Sequence, residues 1–234
     1  MEHSIPLSVV IPVGPKELEL EHINQWPELA PQSWEWIVST VKGSQSEEYL
    51  RENLNPRFRL VCGDPGRAVQ MNSGAKQAHG HFLWFLHCDS ILNSKHIEAI
   101  QNITVKDKEG LWFFRLGFRG DGPPWMFLTE IGTRIRSELL RIPFGDQGFL
   151  LRKELFWSLG AYDENASFGE DHLLVWQAHK KGIPVKRISK ALKTSARKYK
   201  DLGWSQVTKR HLLLTWKQAK PELNEFLKAK FRKP

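Results

Sequence analysis

The sequence predicts an α/β fold with a parallel central sheet, and three observations carry that prediction. The first third of the chain alternates strand-like and helix-like segments, the pattern of a parallel sheet joined by right-handed crossovers. Phe82 to Leu86 is a short, almost wholly apolar run bounded by Gly80 and polar residues, as expected of a strand covered on both faces. His87 and Asp89 follow at the end of that run, two residues apart. Side chains at i and i+2 of an extended chain point the same way, so an imidazole and a carboxylate can converge on one cation or one phosphate-bound metal. The carboxyl ends of strands in open α/β sheets are where ligands bind.

Taken in order, Ser8 to Val13 reads as a strand stopped by Pro12, Gly14 and Pro15. Glu17 to Trp26 reads as a helix anchored by Leu18, Leu20 and Ile23, Trp34 to Val41 as a second strand, and Phe58 to Val61 as a third. Arg67 to His79 is a helix entered through a glycine turn and left at Gly80, with Ala68, Met71, Ala75 and Ala78 on one face. Beyond Asp89 come a helix near Ser94 to Ile103, a strand from Leu111 to Phe118 and the loop Gly120 to Pro124. Pro124 suits the first turn of the next helix, whose Phe127, Ile131, Ile135 and Leu139 recur every four residues, and that helix is expected to cross over the sheet. Phe144 to Gly148 is a glycine-bracketed turn, followed by a short strand near Phe149 to Arg152 and a short helix ending at Gly160. The stretch Ser167 to His172 heads a helix ending at Gly182. Ser205 to Phe231 reads as one or two terminal helices broken at Pro221.

Ser167 and Glu170 have the spacing of a capping box, which gives Glu170 a structural role beside any chemical one. Asp171 has no such assignment. In the first turn of a helix the dipole favours its ionised form, which keeps it available as a proton acceptor at neutral pH.

A chain of 234 residues with 41% hydrophobic residues fits one generous domain or one domain with a C-terminal extension. Ten tryptophans and thirteen phenylalanines suit core packing, stacking on a base or sugar, or rest at a membrane interface. Cys62 and Cys88 have no C-x-x-C spacing, which argues against a zinc site or a disulfide framework and for a reducing cytoplasm. No apolar run approaches the roughly 18 to 20 residues that span a bilayer, and Met1 to Ser8 lacks the basic head and apolar segment of a signal peptide. A soluble or peripheral protein is expected. The net charge of +8 is uneven, because Lys186 to Pro234 carries 15 Lys/Arg against 3 Asp/Glu. This basic tail is either a solvated helical surface or a surface drawn to anionic lipid or a phosphate-bearing substrate, on the inner face of the membrane in the lipid case. Interspersed Trp204, Trp216 and Phe226 suit single-stranded nucleic acid, yet no zinc-finger or RNP-type signature is present, and nucleic acid is not expected as a partner.

The segments S-V-V-I-P, G-R-A-V-Q-M-N-S-G-A, F-L-H-C-D-S, F-G-D-Q-G, G-E-D-H-L and T-S-A-R-K-Y, in this order and at these spacings, resemble the small bacterial family-2 glycosyltransferases of the GT-A fold. The resemblance covers roughly Leu7 to Tyr199. It implies a central, mostly parallel but mixed sheet flanked by helices, with a GT-A like domain over residues 1–200 and a basic helical extension over 201–234 packed on it. It also implies an inverting, hexosyltransferase-like, metal-dependent enzyme. The donor would be a nucleotide-diphospho-sugar, and the acceptor a lipid-linked or small molecule.

By position, His87 and Asp89 match the metal motif, with histidine where relatives often have the first acid and Asp89 as the main contact. Mg²⁺ prefers oxygen ligands and Mn²⁺ accepts imidazole better, so His87 tilts the expectation toward Mn²⁺. Asp171 matches the general base of an E-D motif in which Glu170 is the neighbouring acid. Arg67, Gln70 and Asn72 match donor-side positions, Asp146 an acceptor or donor-sugar loop, and Arg197 a residue closing over the diphosphate. The chain departs from the pattern after its first strand, with V-G-P-K. It departs again after the second strand, where Lys42 stands and no acid appears before Glu47. Those departures support an alternative, a catalytically degenerate GT-A scaffold that acts as a binding or partner module.

Overall fold

The computed structural model describes residues 5–231. Residues 1–4 and 232–234, which the expected domain limits and the leader reading include, lie outside the described residues.

Among the described residues seven strands form one sheet: β1 (Leu7–Pro12), β2 (Glu35–Val41), β3 (Phe58–Gly63), β4 (Phe82–Phe85), β5 (Leu111–Phe118), β6 (Phe149–Arg152) and β7 (Val185–Thr194). Their order is β3-β2-β1-β4-β6-β5-β7. β3, β2, β1 and β4 run parallel, as the alternating pattern predicted. β6 is antiparallel to both neighbours, which makes the sheet mixed, and β7 pairs parallel to β5 across a register shift at Phe114/Arg115.

Side-chain alternation sorts the core into two layers. Val9, Ile11, Trp36, Phe82 and Trp84 face one side, under Ile23 and Trp26 and under α3 (Ser94–Thr104) with Ile97 and Ile100. Val10, Ile37, Leu83 and Phe85 face the other. There they meet α2 (Arg67–Gln77), α5 (Lys153–Ser158) and α6 (Glu170–Lys180) through Met71, Ala75, Phe156, Leu174 and Val175. Burial of β4 on both faces is what its unbroken apolar run anticipated. A helix not anticipated, α1 (Gln45–Asn53), begins where Ser44 accepts the Glu47 amide at 3.1 Å.

Four expectations are corrected. The helix expected at Glu17 to Trp26 is a 3-10 segment, Glu21–Leu29, with Pro27 inside it, where the ring removes a backbone donor. The terminal helix does not break at Pro221, and α8 (Trp204–Phe231), which follows the short α7 (Arg197–Asp201), is continuous. It is clamped on both sides of the proline, by Gln218 donating to the Phe168 carbonyl at 2.8 Å and by Glu222 paired with Lys180 at 2.9 Å. The Ser167–Glu170 capping box does not form, because the N-cap of α6 is Gly169 in a left-handed conformation with no side-chain cap. The segment after Pro124 forms α4 (Met126–Arg134) and a π-helical turn, Ile135–Leu139, but its apolar stripe does not cover the sheet. Phe127, Ile131, Ile135 and Leu139 are exposed, while Met126 and Ser137 are buried. Both sheet faces are already covered by the helices named above, so α4 lies against β5 with its apolar stripe turned outward.

α2 approaches β1 so closely that a Cβ on Gly74 would stand 2.5 Å from Val10 Cγ1. Gly74→Ala is expected to lower stability by about 1–3 kcal/mol through overpacking, read as a drop in urea midpoint at constant slope.

Candidate active site

The carboxyl ends of β1 and β4 open into a cleft of about 690 Å³. Arg67, Gln70, His87, Asp89 and Arg197 line it, which brings five of the nine expected site residues together. α2 begins at the cleft, and that placement carries Arg67 and Gln70 into it. The chain leaving β4 delivers His87 and Asp89. Cys88 packs against the core cluster and also shows an edge to the cleft; burial pushes its thiol up to about 12.

Arg67 ties the cleft to the first turn of α6. Its Nε donates to Glu170 Oε1, and its Nη2 to Asp171 Oδ2 at 3.3 Å. Both carboxylates are buried. Asp171 Oδ2 also accepts the Gly145 amide, and Oδ1 accepts the His172 amide at 2.8 Å. Burial works to raise the Asp171 pKa. Arg67, the two amides and His87 pull the other way, and the net displacement is downward. The same pairing displaces Arg67 upward, against burial that would lower it. Asp171 is therefore an ionised carboxylate at neutral pH. Gly145 has no room for a side chain, since a Cβ there would stand 2.8 Å from Asp171 Oδ2.

Burial, and next the Arg67 charge, hold His87 down at about 4 despite the opposing pull of Asp89 and Asp171. Its imidazole is neutral at pH 7 and keeps a lone pair for a cation. Asp89 Oδ1 is buried with no hydrogen-bond partner, while Arg119 Nη2 donates to the Asp89 carbonyl and fixes the backbone there. Among the described residues no three or more His, Cys, Asp or Glu side chains form a group able to hold a metal. These two side chains, with Asp89 Oδ1 left unpaired, do fit a Mn²⁺ or Mg²⁺ shared with a diphosphate, since such ions commonly take one or two protein ligands and fill their shells with phosphate and water.

Of the remaining expected residues, Gln70 and Arg197 share the cleft but are tied to protein partners, while Asn72 and Asp146 do not line it. Gln70 reaches the cleft, but its amide donates to the Val13 carbonyl at 2.6 Å. Asn72 is outside the cleft, where its amide donates to the Tyr162 carbonyl at 2.8 Å and its Oδ1 accepts the Tyr162 amide at 3.1 Å. Arg197 lies at the mouth, paired with Glu19 at 2.5 Å. Asp146 does not line the cleft; its Oδ1 has no partner among the described residues, and burial above all lifts its pKa to about 6, with Arg136 opposing.

Sequence reasoning missed Arg136. It sits in the π-helical turn, 3.4 Å above the Phe144 ring, and donates to the Ile142 carbonyl at 2.6 Å. Burial lowers its pKa to about 10 while Asp146 and Asp171 resist. The one signal for it was its place beside the apolar stripe. In the segment that departs from the expected pattern, Glu47 turns back to accept the Gly43 amide at 2.5 Å, and this bond first, then Arg51, lowers it to about 2.

No protein-family model matches the sequence, and no curated protein sequence matches it. Solved structures do. Residues 1–349 of S. aureus TarS superpose with a TM-score of 0.59 at 18% identity, over 81% of this chain and 60% of that one. The same fragment in complex with UDP-GlcNAc gives 0.59 at 19% identity, over 81% and 58%. A mannosyltransferase from Pyrobaculum calidifontis, in complex with GDP-Man and Mn²⁺, gives 0.65 at 15% identity, over 96% and 68%. The chain spans about three-fifths of the TarS fragment. It has the GT-A fold of glycosyltransferases.

Because Asp146 is displaced upward in the folded state, the native protein holds a proton there more tightly than the unfolded chain. Its contribution to stability should therefore grow as pH falls from about 6 toward 4 and fade as pH rises. Asp146→Asn should remove that part of the pH dependence in paired thermal melts, and parallel melting curves for the two proteins across the range would contradict the assignment.

Proposed function

We propose that the protein is an inverting, family-2 type glycosyltransferase that moves a sugar from a nucleotide-diphospho-sugar to an acceptor hydroxyl. The observation that carries this reading is the Arg67 bridge, which joins the cleft holding His87 and Asp89 to the buried, ionised Asp171. The structural neighbours support a donor of this class, since they bind UDP-GlcNAc and GDP-Man, the latter with Mn²⁺.

In this reading Arg67 and Arg197 meet the diphosphate, with Arg67 exchanging part of its hold on Asp171 for phosphate oxygen. Loss of that partner raises the proton affinity of Asp171, which accepts the acceptor hydroxyl proton. The hydroxyl oxygen bonds to the anomeric carbon from the face opposite the diphosphate, and the carbon–oxygen bond to the diphosphate breaks with its electron pair leaving on phosphate. His87 and Asp89 would hold a divalent ion, which when bound offsets negative charge on the leaving diphosphate. Glu170 keeps Arg67 oriented and acts as a positioning residue.

Asp171→Asn should leave donor affinity nearly intact and reduce sugar transfer by roughly a hundredfold or more, measured as turnover with a panel of nucleotide-sugars. Asp89→Ala should weaken Mn²⁺-dependent binding of nucleoside diphosphates in thermal-shift or calorimetric titrations. Metal-independent nucleotide affinity, unchanged by the substitution, would remove the ligand assignment. The Gly43–Glu47 closure at the second strand end favours the alternative of a noncatalytic scaffold, and nucleotide-dependent stabilisation without turnover for any donor would select it.

A further inference from the structure

Helix α4 is amphipathic in the reverse sense. Its inward side presents Met126 and, in the turn beyond, Ser137, while Phe127, Ile131, Ile135 and Leu139 are 52–75% exposed on the outward side. Such a stripe is unfavourable in water and marks a contact surface. The start of α8 adjoins it, with Trp204 Nε1 donating to Thr129 Oγ1 at 2.8 Å. The outward side of α8 repeats the pattern, since Leu212, Leu213 and Trp216 are 66–70% exposed.

Charge decides what covers these faces. Lys209, Arg210, Lys217 and Lys220 of α8 are all exposed. The acids of α4, its π-helical turn and α8 itself are occupied: Glu222 and Glu225 both pair with Lys180, Glu130 accepts the Phe118 amide at 3.0 Å, and Glu138 is bound by Arg115 and Arg187. A second copy of the chain would bring the same cations against themselves. We infer that the outward faces of α4 and α8 dock on an anionic lipid bilayer, with Phe127, Ile131, Ile135 and Trp216 entering the interface and the lysines and arginines meeting the headgroups. No helix among the described residues is long and apolar enough to cross a membrane, so the contact is peripheral in this part of the chain.

The docking stands without the transferase reading. If that reading holds, the face has a consequence that rests on it: the π-helical turn carries Arg136 beside the Phe144–Gly145 loop that contacts Asp171, so an acceptor hydroxyl anchored in lipid would arrive next to the base.

The test is flotation of the full chain, without donor, on phosphatidylcholine vesicles with and without phosphatidylglycerol. Binding should require the anionic lipid and weaken with salt, and Phe127→Ser/Ile131→Ser/Ile135→Ser should reduce it roughly tenfold or more while leaving the melting temperature nearly unchanged. As a readout that needs no substitution, brominated acyl chains should quench tryptophan emission, since Trp125 and Trp216 are more than half exposed. Equal binding to both vesicle types, unchanged binding of the serine variant, absence of quenching, or a dimer that the serine substitutions dissolve would each overturn the inference. Nucleotide-sugar turnover is measured separately, so loss of docking and loss of transfer remain distinguishable.

Discussion

The site depends on one electrostatic constraint. Two adjacent carboxylates at the start of α6 are buried, and buried charge persists only when it is paired and hydrogen-bonded. Arg67 supplies the pairing, and the Gly145 and His172 amides supply the remaining hydrogen bonds to Asp171. The constraint reaches into the fold, because Arg67 opens α2 and α2 is seated on β1 at Gly74. Close packing of that helix at Gly74 on the Val10 side chain therefore sets where the cation stands, and the cation sets the protonation state of Asp171.

Around that pair the same low-dielectric setting drives each group in its own direction. His87 is neutral, Asp146 leans toward its protonated form, Arg136 holds its charge less firmly than a solvated guanidinium, and Asp171 stays ionised. The differences come from partners. Asp171 has a cation and two amides, whereas Asp146 has an oxygen with no partner. Neighbouring carboxylates with separated proton affinities are the raw material of acid–base chemistry. The mixed sheet supports this arrangement, since the parallel strands β1 and β4 end together at the cleft while antiparallel β6 follows the Phe144–Gly148 turn whose Gly145 amide reaches Asp171.

The molecule also directs apolar surface outward along α4 and α8. α4 and α8 expose leucine, isoleucine and aromatic side chains beside basic residues, and the turn that ends α4 leads directly into the loop touching Asp171. Surface and site are thus connected through a few residues of backbone.

The sequence by itself determined the parallel half of the sheet, because the apolar runs of β1, β2 and β4 and the small-residue face of α2 are local patterns with a single period. It also determined that His87 and Asp89 end a buried strand. Strand β7 was not legible, since its register shift against β5 breaks the period of two and its exposed lysines hide the alternation. Only the tertiary structure decided that Glu170 pairs with Arg67 instead of capping its helix, that Asn72 holds Tyr162, that Arg136 stacks on Phe144, and that the stripe of α4 faces out. A helical pattern states that one face is apolar, but the direction of that face depends on which neighbours have already covered the sheet. The partner of a buried charge is likewise a residue about a hundred positions away, which no local period can name.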